Sequence, residues 1–349
     1  MSYTVEQRLL NMRPYEPQTG TFRIRADANE SYLSIPAAAR QEFCRVLAEL
    51  EFNRYPDPYA SKLCSAFSEY HGIKPELVTA GNGSDELINV ICQSVLRDNA
   101  KMVCIEPDFS MYAFYSNLRR AQVCTVSRTS DYGVDIDAVL EMVKSERADL
   151  LIFSNPNNPT SQVLSKAEVL RLVENAPCLV VVDEAYMDFC DQSVVGEVEN
   201  YQNLIVLRTM SKAFACAALR LGFAVTNATL SNILKAVKSP YNVNAASQAF
   251  GEVLLKYKKE ADSAIAQIKN SRDELFGELS KITQVLGAPF KAVKPFANFV
   301  YIETPKADGI HANLMQEGVA VRRFENRLRI TASSPADNSE IIKVLKSYK

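Results

Sequence analysis

Six short apolar runs punctuate the middle of the chain: residues 101–105 (KMVCI), 121–126 (AQVCTV), 149–153 (DLLIF), 178–183 (CLVVVD), 204–207 (LIVL) and 221–225 (LGFAV). Several are apolar throughout, the pattern of strands covered on both faces. Between them apolar residues recur at helical spacing; after GNGS, Leu87, Ile88, Ile91 and Val95 share one side. One helix start is spelled out by Ser165 as cap, Glu168 closing the capping box, and Leu164 with Val169 as hydrophobic staple. Strands alternating with helices predict an α/β fold, a mostly parallel sheet flanked by helices.

Outside this region the pattern changes. Residues 1–30 carry little periodicity and read as an N-terminal arm. Ala39, Phe43, Val46, Leu47 and Leu50 recur near helical spacing until Pro56 and Pro58 end the pattern. A lysine-rich helical stretch over 246–281 precedes three strand-like runs, ANFVYIE, GVAVRRF and RLRIT, of a smaller α+β unit. The expected organisation is an arm (1–30), a large domain (31–240) and a small C-terminal domain (241–349). Residues 31–50 are assignable to either unit, and the boundary falls near 230–245.

Composition narrows the function classes. With 47% hydrophobic and 23% charged residues, the 349-residue chain is built to bury a large core rather than to stay disordered. A formal net charge of -2 offers no basic face to nucleic acid. The 8 cysteines are scattered without a CxxC pair, and His71 and His311 are far apart in the chain, which argues against a metal site and for buried thiols in a reducing cytoplasm. No apolar run reaches the roughly 20 residues of a membrane span. The polar start lacks a signal-peptide pattern, so a cytoplasmic protein without membrane contact is expected.

In an open α/β sheet, ligands bind beyond the carboxyl ends of the strands. Four segments deliver polar residues to that edge: residues 81–85, 155–160, Asp183, and 209–212. Gly81, Gly83, Ser84 and Asp85 form either a phosphate cradle at a helix N-terminus or only a capped turn. Asp183 closes an apolar strand as a solvent-facing cap or as the partner of a cationic ring nitrogen, with Tyr186 one turn on. Asn157, between Pro156 and Pro159, belongs to a rigid turn or donates to an aromatic oxyanion. Lys212, following a buried strand beside Thr209 and Ser211, is placed as an amine nucleophile toward a carbonyl. Arg220 is placed to share a phosphate with Ser211 and Ser84. Phosphate cradle, ring-nitrogen carboxylate, hydroxyl-reading asparagine and Schiff-base lysine together describe pyridoxal 5'-phosphate (PLP).

The motifs PY (14–15), ANE (28–30), NRYPDP (53–58), GNGSDE (81–86), NPNNPT (155–160), DEAY (183–186), RTMSKAF (208–214) and RLRIT (327–331) occur in this order. Through them the chain resembles PLP enzymes of fold type I, and more narrowly the histidinol-phosphate aminotransferases. The resemblance implies that Lys212 carries PLP covalently and moves the proton between the substrate α-carbon and C4′. Asp183 would keep the ring nitrogen protonated, Asn157 and Tyr186 would bond the 3′-oxygen, and Phe109 would stack on the ring. The phosphate would rest on Gly83, Ser84, Asp85, Ser211 and Arg220, with Thr209 nearby and Tyr55 arriving from the other subunit of a homodimer. Arg329 would hold a substrate α-carboxylate. Tyr15, Asn29 and one of Arg322 and Arg323 would stand near the distal end of the substrate, which Asn157 would also touch.

The implied reaction is transamination of an amino phosphate, L-histidinol phosphate, with 2-oxoglutarate as the other partner in histidine biosynthesis. Threonine-phosphate decarboxylation and transamination of an aromatic or other unphosphorylated amino acid are alternatives. The chain departs from the family pattern at Ser161, where glycine is usual, at Phe109, where the stacking ring loses a hydroxyl, and at Ala217-Ala218, where Ala-Gly is usual.

Overall fold

A computed structural model describes residues 4–12 and 18–348. Its helices are α1 (Gln7–Leu10), α2 (Ala37–Ala48), α3 (Ser61–His71), α4 (Ser84–Val95), α5 (Met111–Leu118), α6 (Ile136–Glu146), α7 (Lys166–Asn175), α8 (Ala228–Val237), α9 (Ala245–Leu255), α10 (Lys258–Leu279), α11 (Ala307–Gln316) and α12 (Pro335–Ser347). Its strands are β1 (Ile24–Ala26), β2 (Val78–Gly81), β3 (Lys101–Glu106), β4 (Gln122–Ser127), β5 (Leu150–Ser154), β6 (Leu179–Asp183), β7 (Leu204–Thr209), β8 (Gly222–Thr226), β9 (Gln284–Val285), β10 (Ala288–Pro289), β11 (Lys291–Val293), β12 (Phe299–Glu303), β13 (Val319–Phe324) and β14 (Arg327–Thr331). None of the helices is long and apolar enough to cross a membrane.

All six apolar runs are strands of one seven-stranded sheet, ordered β2-β8-β7-β6-β5-β3-β4. It is parallel from β4 to β7, while β8 runs antiparallel to both its neighbours. The runs are apolar at successive positions because alternate side chains enter two different cores. Leu150, Ile152, Val181, Ile205 and Leu207 meet Leu87, Ile88 and Ile91 of α4 on one face. Leu151, Phe153, Val180, Val182 and Val206 face the other way, toward Val169 and Leu172 of α7. The edge strand β4 carries exposed Gln122, Thr125 and Ser127. α7 begins with the expected capping box between Ser165 and Glu168, and Leu164 and Val169 share its core.

A second sheet, ordered β1-β13-β14-β12-β11, is antiparallel except where β1 lies parallel to β13. Leu275 and Leu279 of α10, Ile310 and Leu314 of α11, and Ile341 and Leu345 of α12 bury its apolar face. The weakly periodic arm contributes the edge strand β1, too short for periodicity to reveal. The stretch 246–281 is two helices, broken at Lys256 and Tyr257, where Glu42 of α2 takes Lys256 Nζ at 2.7 Å and Tyr257 Oη at 3.0 Å. α9 then packs with α2 and α3, Phe43 meeting Phe250 edge to face at 4.4 Å.

Candidate active site

β5 and β6 end level, Ser154 opposite Asp183, while β7 runs two residues past Leu207, the partner of Asp183, to Thr209. A cavity of about 450 Å³ opens beyond these ends, and Lys212, Asp183, Tyr186, Phe109, Ser84 and Arg220 all contribute to its wall. The polar residues that stop each apolar run are thus gathered at one sheet edge, as strand polarity requires.

Asp183 is buried at the floor. Its Oδ2 accepts from Tyr112 Oη at 2.8 Å and its Oδ1 from Ala185 N at 3.1 Å. Burial pushes its carboxyl up to about 6, against the lowering effect of these two donors. Opposite it, Lys212 Nζ donates to the Ala28 carbonyl at 3.0 Å and lies 5.9 Å from the Tyr186 ring centroid. Phe109 is fixed through its own amide, which donates to Asp108 at 2.8 Å. The Asp108 side chain is buried and its carboxyl is pushed to about 7 by that burial, with Arg128 3.8 Å away.

The start of α4 supplies the other end of the cavity. Gly83 has φ 89, and a Cβ there would come within 2.7 Å of Arg220 Nη2. A Cβ on Gly222 would meet Ser84 N at 2.2 Å, so two glycines let β8 and the helix start close on each other. Thr209 Oγ1 donates to the Leu221 carbonyl and accepts from Ser211 N at 3.1 Å, which turns the chain immediately before Lys212. Backbone amides at a helix start, two serine hydroxyls and a guanidinium make this a place for a phosphate. Asp85 Oδ2 accepts from Tyr115 Oη at 3.0 Å, while its Oδ1 is buried with no partner among the described residues.

The expected substrate residues divide. Arg329 is buried, its Nη1 donating to Asn158 Oδ1 at 2.5 Å and its Nη2 to the Asp27 carbonyl at 2.6 Å. Arg322 is half-buried and paired in register with it, whereas Arg323 is exposed and pairs with Asp308 at 2.6 Å. Asn29, expected near the distal end of a substrate, is instead enclosed. Its Nδ2 donates to Tyr186 Oη at 2.8 Å and its Oδ1 accepts from Thr331 Oγ1 at 3.0 Å. Asn157 is also turned inward: its amide donates to Ser154 Oγ and the Pro107 carbonyl, and its oxygen accepts from Thr160. Asn158 takes the place on the wall that was expected of Asn157. Tyr55 is 81% exposed and stacks on Tyr241 at 4.6 Å, away from the cavity of its own chain. Tyr15 lies outside the described residues.

Sequence reasoning missed Tyr112, Ala28 and Asn158. Tyr112 stands three residues after Phe109, in the first turn of α5, close to a position already singled out. Ala28 acts through its backbone, for which a sequence carries no signal. Ser161 adopts φ 64, the conformation its glycine counterpart would favour, and its Oγ accepts from Phe296 N at 2.9 Å and Ala297 N at 2.7 Å. Among the described residues no group of three or more His, Cys, Asp or Glu is arranged to hold a metal ion.

Known proteins are similar to this chain along almost its whole length. The family described as aminotransferase class I and II matches residues 25–345. Histidinol-phosphate aminotransferase of Clostridium novyi (strain NT) is 41% identical over 341 residues, covering 96% of this chain and 94% of that one. Its namesake from Clostridium kluyveri is 37% identical over 350 residues, covering 98% of each. The crystal structure of histidinol-phosphate aminotransferase from Sinorhizobium meliloti in complex with pyridoxal-5'-phosphate superposes with a TM-score of 0.87 at 20% identity, covering 98% of both chains, and so shares the fold. With its strand-end lysine and buried aspartate at one cavity, the chain belongs to the aminotransferase class I and II family.

Proposed function

We propose that the chain is a PLP-dependent aminotransferase that moves the amino group of L-histidinol phosphate to 2-oxoglutarate in histidine biosynthesis, as a cytoplasmic homodimer. The convergence of Lys212, Asp183 and Arg220 on one cavity carries the cofactor reading. The relatives named histidinol-phosphate aminotransferase, similar over nearly their whole length, support the substrate reading.

The residues present fit PLP. Asp183 is a buried acid whose hydrogen-bond donors are neutral, so a protonated ring nitrogen supplies the cation that its burial calls for. The cradle at Gly83, which a Cβ would fill against Arg220, fits a phosphate. When bound, PLP supplies an electron sink for charge developing at the substrate α-carbon. Asp183 holds the proton on the ring nitrogen. Lys212 Nζ would hold the cofactor and would serve as the acid-base group that moves a proton at the substrate α-carbon. Tyr186 Oη, steadied by Asn29, is the hydroxyl available to the 3′-oxygen, and Asn158 is the amide on that wall. Phe109 supports the ring face.

The two substrates differ beside the reacting carbon. Glutamate and 2-oxoglutarate present a carboxylate, while histidinol phosphate presents a phosphate ester and no carboxylate. Arg329 suits the former, and a second guanidinium from Arg322 suits the additional charge of the latter. Exposed Phe52, Tyr55, Tyr59 and Tyr241 form the surface offered to a second copy, from which Tyr55 would reach the partner's phosphate site. The test is a half-reaction: histidinol phosphate should convert the bound cofactor to its amine form, far faster than unphosphorylated histidinol. Carbon dioxide release from threonine phosphate without that conversion would instead make the protein a decarboxylase.

A further inference from the structure

Tyr112 is among the largest fully buried side chains of the protein, yet it touches two residues of the cavity wall without lining the cavity. Its hydroxyl donates to Asp183 Oδ2 at 2.8 Å. Its ring meets Phe109 edge to face, with centroids 5.6 Å apart and planes at 84°. Tyr115, three residues on and therefore on the same side of α5, donates to Asp85 Oδ2 at 3.0 Å. One short helix thus presents two phenols to two carboxylates of the cavity wall, Asp183 and Asp85.

We propose that Tyr112 is a positioning residue that holds Asp183 as a carboxylate and Phe109 at a fixed tilt, setting both the edge and the face on which a planar cationic ring is received. The inference rests on the reading of PLP as the cofactor.

The groups around Asp183 explain why a donor is needed there. Asp85 faces it from α4 and Glu184 follows it just beyond β6, and both disfavour a further negative charge at Asp183. Arg208 of β7 is engaged with Glu184 at 3.0 Å. Lys212, in the loop after β7, donates to Ala28. Asp108, on the far side of Tyr112, has Arg128 as its counter-ion. Two direct donors are left for the Asp183 carboxylate, the Ala185 amide and the Tyr112 hydroxyl. Burial and the neighbouring acids push the phenol of Tyr112 well above its ordinary range, so it keeps its proton and donates at every working pH.

The test compares PLP dissociation from the holoenzyme between pH 5 and 9 in the wild type, Tyr112→Phe and Tyr112→Leu. In the wild type the affinity should fall about tenfold per pH unit once Asp183 begins to protonate, below about pH 6. Tyr112→Phe keeps the ring and removes the hydroxyl. Its midpoint should move up by about one unit, giving roughly twofold weaker binding at pH 7, nearly tenfold weaker binding at pH 5 and convergence with the wild type by pH 9. Tyr112→Leu should show the same midpoint shift together with a changed circular dichroism of the bound cofactor, because Phe109 has lost its support. A merely structural Tyr112 would instead weaken binding equally at every pH, and an unmoved midpoint in Tyr112→Phe overturns the inference. A wild-type protein that binds no PLP overturns the cofactor reading and the inference with it.

Discussion

Arg322 stands directly across from Arg329 in the antiparallel register of β13 and β14, so both side chains leave the sheet on the same face. Arg323, one residue along, leaves by the other face and pairs with Asp308. Arg322→Gln should therefore lower kcat/KM for histidinol phosphate by roughly 10- to 100-fold, the loss of a charge-assisted contact, and affect unphosphorylated histidinol far less. Arg323→Gln should stay within about twofold for both donors, as befits an exposed ion pair. Steady-state kinetics on the two donors separates these outcomes.

Lys212→Ala should remove the visible absorption band of the covalently held cofactor and reduce turnover by roughly 1,000-fold or more. Absorbance of the purified variant after PLP addition, with a single-turnover assay, provides the check. Persistence of the band would reassign the nucleophile.

Asp183 gives the cofactor-free protein a characteristic pH dependence. Its carboxyl is raised from an ordinary 3.8 to about 6 in the folded protein. Below the lower value both folded and unfolded chains carry the proton and nothing is lost. As pH rises through this window the unfolded chain releases its proton first, so stability falls, and above about 6 the loss is complete, on the order of 2–3 kcal/mol. Asp183→Asn should thus raise the melting temperature of the cofactor-free protein at pH 8 and leave it nearly unchanged at pH 4. The same substitution should weaken PLP binding, since the ring nitrogen loses its counter-charge.

Ser161 ties the loop after β5 to the chain entering β12. Ser161→Ala keeps the left-handed backbone but leaves the buried Ala297 amide without the hydroxyl that accepts from it, which should cost about 1–3 kcal/mol in denaturant titrations. Ser161→Gly loses the same bond but relieves the backbone, so its cost should be smaller by about 1 kcal/mol.

The exposed pair Tyr55 and Tyr241 tests the proposed subunit contact. Tyr241→Asp should shift sedimentation from dimer toward monomer and lower activity in proportion. Tyr55→Phe should leave the dimer intact while weakening PLP binding by a few-fold.

The larger sheet was legible because its strands are apolar on both faces and stop at polar residues, so Asp183, Lys212 and the start of α4 could be placed at one edge from the sequence. Choices between adjacent residues were not. Asn157 and Asn158 have the same chemistry, and only the path of the turn decides which faces the cavity. Alternation along β13 assigns Arg322 and Arg323 to opposite faces without saying which face carries the site. β1 escaped because three residues have no usable period and their partner Val319 lies near the other end of the chain.

That pairing also governs the order in which the protein can be completed. Domains emerging from the ribosome fold broadly in the order they are made, but Ile24 can join Val319 only after almost the entire chain exists. The segment just beyond β1 carries Ala28 and Asn29, which receive Lys212 and Tyr186. During synthesis the seven-stranded sheet can therefore be finished while its reactive edge is still uncovered. Residues 24–29 are among the last to find their place, and a chain that terminates before β13 would display Lys212 without the roof that receives it.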